Sequence, residues 1–152
     1  MFNIDDMISN SKIMVIEDSQ SNLEDLYKIL GDAQYTVQTA STGEMAVTHL
    51  KTVTPDLFLL HSRLPDLDGA RVCKKLKSNR KYRDIPVILI EDTDHLQDQD
   101  IGYQAGAVGF ITNPFDPQEV LSCIESQLKL TYFKNKYNDL IRQLQLNELI
   151  WI

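Results

Sequence analysis

Cysteine is scarce: Cys73 and Cys123 are the only two, far apart, and neither sits in a Cys-x-x-Cys pair. A redox dithiol motif and a thiolate zinc framework therefore lack support, and two helical thiols in a reducing compartment are expected instead. Basic residues are also few, with 15 Lys and Arg against 22 Asp and Glu and a net charge of -7. A polyanion is held mainly by clustered Lys and Arg, so direct binding to nucleic acid or to an anionic membrane is not expected. No run of apolar residues approaches the roughly 18 to 20 needed to span a bilayer. The first ten residues carry acids where a secretion signal carries base and a long apolar run. A cytoplasmic location is the expectation.

What is present is a chain of 152 residues, 43% apolar and 24% charged, enough for one domain with a modest extension. Apolar runs at 13–16, 57–60 and 87–90 are too short for helices and suit strands covered on both faces. The run at 36–40 is mixed in polarity and that at 108–111 contains Gly109, which fits edge strands. Helical patterns lie between them. Ser21-x-x-Glu24 reads as a capping box ahead of Leu23, Leu26, Tyr27 and Leu30, with Gly31 as a stop. Ser41-x-x-Glu44 opens a second helix, and the Asp68-Gly69 turn a third with Val72, Cys73 and Leu76. A weaker fourth spans Gln97 to Ala105 and stops at Gly106. The fifth starts at Asp116 as N-cap, with Pro117 in first position and Glu119 completing the box.

Strands alternating with helices imply right-handed crossovers and a doubly wound α/β sandwich. The expected fold is a five-stranded parallel sheet with five helices, the last extended, and if its order is 2-1-3-4-5 strands 1 and 3 are neighbours. Such sheets place their sites at the carboxyl ends of the strands, at the switch point between strands 1 and 3. That rule selects Glu17 and Asp18 after strand 1, His61 after strand 3, and Glu91 and Asp92 after strand 4. A flavin or other phosphate-binding enzyme would need glycines and backbone donors after strand 1, where Glu17-Asp18-Ser19 offers carboxylates.

Ile13-Met14-Val15-Ile16-Glu17-Asp18, Pro55-Asp56-Leu57-Phe58-Leu59-Leu60-His61, Leu64-Pro65-Asp66-Leu67-Asp68-Gly69, Ile85-Pro86-Val87-Ile88-Leu89-Ile90 and Gly106-Ala107-Val108-Gly109-Phe110-Ile111-Thr112-Asn113-Pro114-Phe115 follow one another in order. Together these segments resemble the receiver domain of bacterial response regulators, over residues 11–130, and the resemblance implies the flavodoxin-like strand order 2-1-3-4-5. The resemblance implies an acidic pair that holds magnesium, matched by Glu17 and Asp18, and an aspartate after strand 3 that accepts a phosphoryl group from a histidine kinase. Here that acceptor position holds His61, which is neither a carboxylate nucleophile nor a hard oxygen ligand. Glu91 stands where the family has a hydroxyl residue, and its charge opposes that of a phosphate. Asn113 replaces the strand 5 lysine, while Pro114-Phe115 is retained and with it the family's cis peptide turn. Three of five pocket positions have changed, the pattern of a degenerate receiver, or pseudo-receiver. Asp66 and Asp68 lie beyond Pro65 and read as turn and helix-cap residues rather than substitute acceptors.

Glu17, Asp18 and Glu91 are expected to converge on His61, whose imidazolium would then serve as counter-ion in place of a metal. A neutral, hydrogen-bonded histidine is the plain alternative. No metal is expected, magnesium binding being weakened or lost, although Glu17, Asp18 and His61 together make a possible weak site for a borderline ion such as zinc or manganese. Phe110 occupies the family's aromatic switch position, either turned inward or simply packed on the sheet.

After Leu130 the pattern runs on without Gly or Pro: Phe133, Tyr137, Leu140, Leu144, Asn147 and Trp151 alternate at four and three, a coiled-coil seam over residues 131–152. A projecting helix and a parallel homodimer are expected, with Asn147 weakening the seam while fixing its register. An amphipathic helix folded back on its own domain is the rival arrangement. The functional expectation is a non-enzymatic two-component signalling module that works without phosphorylation, through contacts with other signalling proteins. Its rivals are a phosphorelay component modified by another route, with His61 itself as acceptor, and the regulatory part of a larger regulator whose output domain lies elsewhere.

Overall fold

Five segments rich in Val, Ile and Leu form the strands β1 (Lys12–Ile16), β2 (Thr36–Ala40), β3 (Leu57–His61), β4 (Val87–Asp92) and β5 (Gly109–Asn113) in the computed structural model, which describes residues 3–93 and 99–151. They pair in parallel in the order β2-β1-β3-β4-β5, so the mixed-polarity strands take the edges and the apolar runs the centre, as their composition requires. The helices are α1 (Ile4–Ile8), α2 (Gln20–Asp32), α3 (Gly43–Leu50), α4 (Gly69–Ser78), α5 (Gln99–Ala105) and α6 (Pro117–Trp151).

Side chains alternate across a strand, and the sheet sorts them into two apolar layers. Ile13, Val15, Leu57, Leu59, Ile88, Ile90 and Ile111 face Leu26 and Leu30 of α2 and Val120, Ile124 and Leu128 of α6. Met14, Ile16, Phe58, Leu60, Val87 and Leu89 face Ala46 and Leu50 of α3 and Val72, Cys73 and Leu76 of α4. Full burial of each such side chain contributes about 1.5–3 kcal/mol. This is the doubly wound sandwich the sequence implies.

Among the described residues, six helices stand where five were expected. The additional α1 is capped by Asn3, whose side chain accepts from the Asp5 N–H, and it places Ile8 in the α2/α6 layer. Two caps also shift. Helix α2 is capped by Ser19, not Ser21, and runs through Gly31 to Asp32, the chain then turning at Gln34 with φ of 72°. Thr42, not Ser41, caps α3 by accepting from the Met45 N–H at 3.0 Å. Asp68 and Asp116 cap α4 and α6 as expected, accepting from Ala70 N and Gln118 N. The expected start of α5 at Gln97 lies outside the described residues; the helix ends before Gly106, whose φ is +110°.

Helix α6 is continuous over 35 residues. Its first three turns are docked on the sheet. Beyond them Leu130, Phe133, Tyr137, Leu140 and Leu144 are each more than half exposed, so the seam does not fold back on its own domain. The side chain of Trp151 lies outside the described residues.

Candidate functional site

The strand alternation that builds the core also decides which polar residues meet. Glu17, His61, Asp92 and Asn113 continue the register of Val15, Leu59, Ile90 and Ile111, so all four stand on the α2/α6 side of the sheet at its carboxyl edge. Glu91 continues that of Leu89 and belongs to the opposite side.

Glu17 is fully buried, its backbone N–H donating to Ala40 O at 2.9 Å. Its Oε1 accepts from Asn22 Nδ2 at 2.9 Å and from the Ser19 N–H at 3.2 Å. Its Oε2 is buried, has no hydrogen-bond partner among the described residues and lies 3.8 Å from His61 Nε2. Burial holds the Glu17 carboxyl above its ordinary value, against the opposing effects of the Asn22 bond and the His61 ring.

His61 is 6% exposed. Its Nε2 stands 3.5 Å from Asp92 Oδ1 as well as facing Glu17. Its Nδ1 lies 2.8 Å from Arg63 O and 3.0 Å from Arg63 N. One atom cannot donate and accept at once, so either tautomer is satisfied at Nδ1 without moving the ring: it donates to the carbonyl when protonated and accepts from the N–H when not.

The expected convergence of Glu91 on His61 is corrected by this geometry. Glu91 is buried and its Oε2 accepts from Ser62 Oγ at 2.9 Å, at the wall of a cleft of about 400 Å³ lined also by Arg63, Leu64, Asp68 and Ile101. Asp92 takes the place beside His61, because position 92 and not 91 shares its face. Asn113 Nδ2 donates to Asp92 Oδ1 at 2.9 Å. The Asn113–Pro114 peptide is cis, as expected.

Asp18 is exposed, yet a carboxylate oxygen of it, one of Glu17 and a His61 nitrogen all lie within 4.8 Å of one another. Magnesium requires near-octahedral oxygen coordination, and the third donor here is an imidazole nitrogen, so the residues present fit that ion poorly. Phe110 is half-buried against the α3/α4 layer, its ring meeting that of Tyr103 edge-on at 4.8 Å.

Asp66 has a different part from a simple turn residue. Its two carboxylate oxygens accept the Gly43 and Glu44 N–H groups at 3.0 Å each, so it joins Thr42 in capping α3. These bonds hold its carboxyl below the ordinary value.

The geometry is that of a receiver pocket, and residues 13–125 match the sequence profile of the response regulator receiver domain. The chain belongs to that family. This receiver is 36% identical over 120 residues to the alkaline phosphatase synthesis transcriptional regulatory protein PhoP of Bacillus subtilis, covering 79% of this chain and 49% of the relative. It thus spans about half the length of that protein. Among solved structures it resembles the receiver domain of a signal transduction histidine kinase from Syntrophus aciditrophicus, at 31% identity and a TM-score of 0.71, over 78% of this chain and 89% of that one. A response regulator from Chloroflexus aurantiacus superposes with a TM-score of 0.76 at 25% identity, over 79% of the receiver and 98% of that chain. Among the described residues, no helix of the receiver is long and apolar enough to cross a membrane.

Asp92 was placed at this edge by the sequence but not beside His61, while Asn22 and the Arg63 backbone escaped the sequence-based expectation as partners of the pocket. The alternation of β4 was a sufficient signal for Asp92. Nothing local marks Asn22 or the bend that sets Arg63 against the ring.

Proposed function

We propose that this receiver is a pseudo-receiver: a non-enzymatic signalling module that acts without phosphorylation, through contacts with other signalling proteins and with a second copy of itself. The observation that carries this is His61, buried at the end of β3 with Nε2 turned toward Glu17 and Asp92, in the place where the family has its acceptor aspartate. An imidazole there forms no acyl phosphate. Glu91 adds a buried carboxylate to the same end of the sheet, and Asn113 spends its amide on Asp92 rather than offering a cation. No direct nucleic-acid contact is proposed, in keeping with the net charge of -7. The free thiols of Cys73 and Cys123 fit work in the reducing cytoplasm.

Self-association is assigned to α6. Leu130, Phe133, Tyr137, Leu140 and Leu144 recur at three and four along the helix and are exposed in the single chain, while the seam of a parallel two-stranded coil would cover them. Residues 131–151 extend the helix by roughly 30 Å at 1.5 Å per residue, enough for about three heptads.

Two measurements test this. Incubation with acetyl phosphate and magnesium should leave the intact mass unchanged, and an added phosphoryl group would refute phosphorylation independence. Light scattering should give a dimer that ignores beryllium fluoride and becomes a monomer on Leu140→Asp with Leu144→Asp. A monomeric parent protein would refute the assignment to α6.

A further inference from the structure

The pocket has lost one chemistry and gained the donors of another. Glu17 Oε2 is a carboxylate oxygen removed from water with no hydrogen bond among the described residues, and it lies 3.8 Å from an imidazole nitrogen. Leaving such a group unpaired is costly, and a cation is its natural complement. Among the described residues, the polar contacts of His61 Nε2 are long, 3.5 Å to Asp92 and 3.8 Å to Glu17.

Donors bonded at 2.0–2.2 Å to a tetrahedral ion lie roughly 3.3–3.6 Å from one another. The two separations at Nε2 are within a few tenths of an ångström of that edge, and one oxygen each of Glu17 and Asp18 and a ring nitrogen of His61 all lie within 4.8 Å of one another. The outer contacts also suit metal binding. A metal-bound histidine normally donates its second ring N–H to a carbonyl or carboxylate, and Arg63 O stands ready 2.8 Å from Nδ1. Asn113 orients Asp92 at the mouth by its bond to Oδ1.

We propose that Glu17, Asp18 and His61 form a binding site for a borderline divalent transition metal, zinc being the representative ion, with Asp92 as a supporting carboxylate. Imidazole with carboxylates suits such ions, whereas magnesium prefers oxygen alone. The site rests on the same substituted pocket as the proposed loss of phosphorylation, but the two are read separately: acetyl phosphate reports on acceptance and direct titration reports on the metal.

The experiment uses the full chain freed of metal with a chelator. Zinc chloride is titrated by calorimetry and cobalt chloride by visible absorption, each with and without excess magnesium chloride. One equivalent of zinc should bind, magnesium should not displace it, and cobalt should show the ligand-field bands of a low-coordinate site. His61→Ala should weaken zinc binding at least about 100-fold, beyond the ~10–100-fold typical of outer-shell partners. Glu17→Gln, which keeps the Oε1 bonds to Ser19 and Asn22, should weaken it in the same direction while circular dichroism reports an intact fold. His49→Gln should leave binding unchanged. His61→Asp should shift preference from zinc to magnesium. Zinc binding that survives His61→Ala would mean an adventitious ion only and overturn the proposal. So would equal competition by magnesium, or no binding at all, in which case the ring is simply the counter-ion of its carboxylates.

Discussion

Asn113 donates from Nδ2 to Asp92 Oδ1 at 2.9 Å, so the residue that replaces the family's lysine restrains a carboxylate instead of presenting a charge to the pocket. Restoring the acceptor alone is therefore insufficient. With acetyl phosphate and magnesium, His61→Asp by itself should phosphorylate slowly. Combined with Glu91→Thr and Asn113→Lys it should react on the order of 100-fold faster, the scale of one preorganised electrostatic stabiliser. Intact-mass time courses measure both, and equal rates would show that positions 91 and 113 do not limit acceptance.

Glu17 supplies a pH dependence of unusual sign. Its folded carboxyl is held above the ordinary value by burial, so between the unfolded value near 4.5 and the folded one the native state binds the extra proton. Stability from this group is thus present below the unfolded value and lost as pH rises through the folded one. In metal-free protein Glu17→Gln should raise the urea midpoint at pH 7 and make no difference at pH 4. A lower midpoint at pH 7 would show that the ionised carboxylate is needed by the His61 ring.

Asp66 has the opposite sign. Its carboxyl is held down by the Gly43 and Glu44 N–H groups, so its contribution is present above the unfolded value and lost as pH falls through the folded one. Asp66→Asn should lower the urea midpoint at pH 7, the gap to the parent protein narrowing as the solution is acidified below pH 4. A gap independent of pH would assign the effect to geometry alone.

Gly69 sits where α4 leaves the loop after β3. A methyl group there would overlap the His61 carbonyl oxygen and lie 2.7 Å from Ser62 Cα, both backbone atoms that cannot rotate away. Gly69→Ala should cost at least about 1–3 kcal/mol, as overpacking does. Chemical denaturation measures it; a loss under about 0.5 kcal/mol, the range of ordinary surface changes, would mean that the loop yields.

Periodicity made the sheet legible. Runs such as 57–60 and 87–90 are apolar at every position because both faces are covered, and mixed runs mark the edges. Caps were less legible, since Ser19 and Ser21, or Ser41 and Thr42, are chemically equivalent candidates and only the strand end decides which is held extended. The short α1 carries too few residues for a periodic signal, and Lys129 of α6 pairs with Asp5 at 3.3 Å within it.

The sequence by itself determined the alternating strands and helices and, through its resemblance to receivers, the strand order and the identity of the altered pocket, because alternation, spacing and motif order are properties of the chain. Which carboxylate meets His61, which oxygen of Glu17 is left unpaired, and that Asp66 caps a helix more than twenty residues away were decided by tertiary structure. Those facts depend on how strands align side by side and where their loops turn, and no local stretch of sequence encodes a distance between two strands.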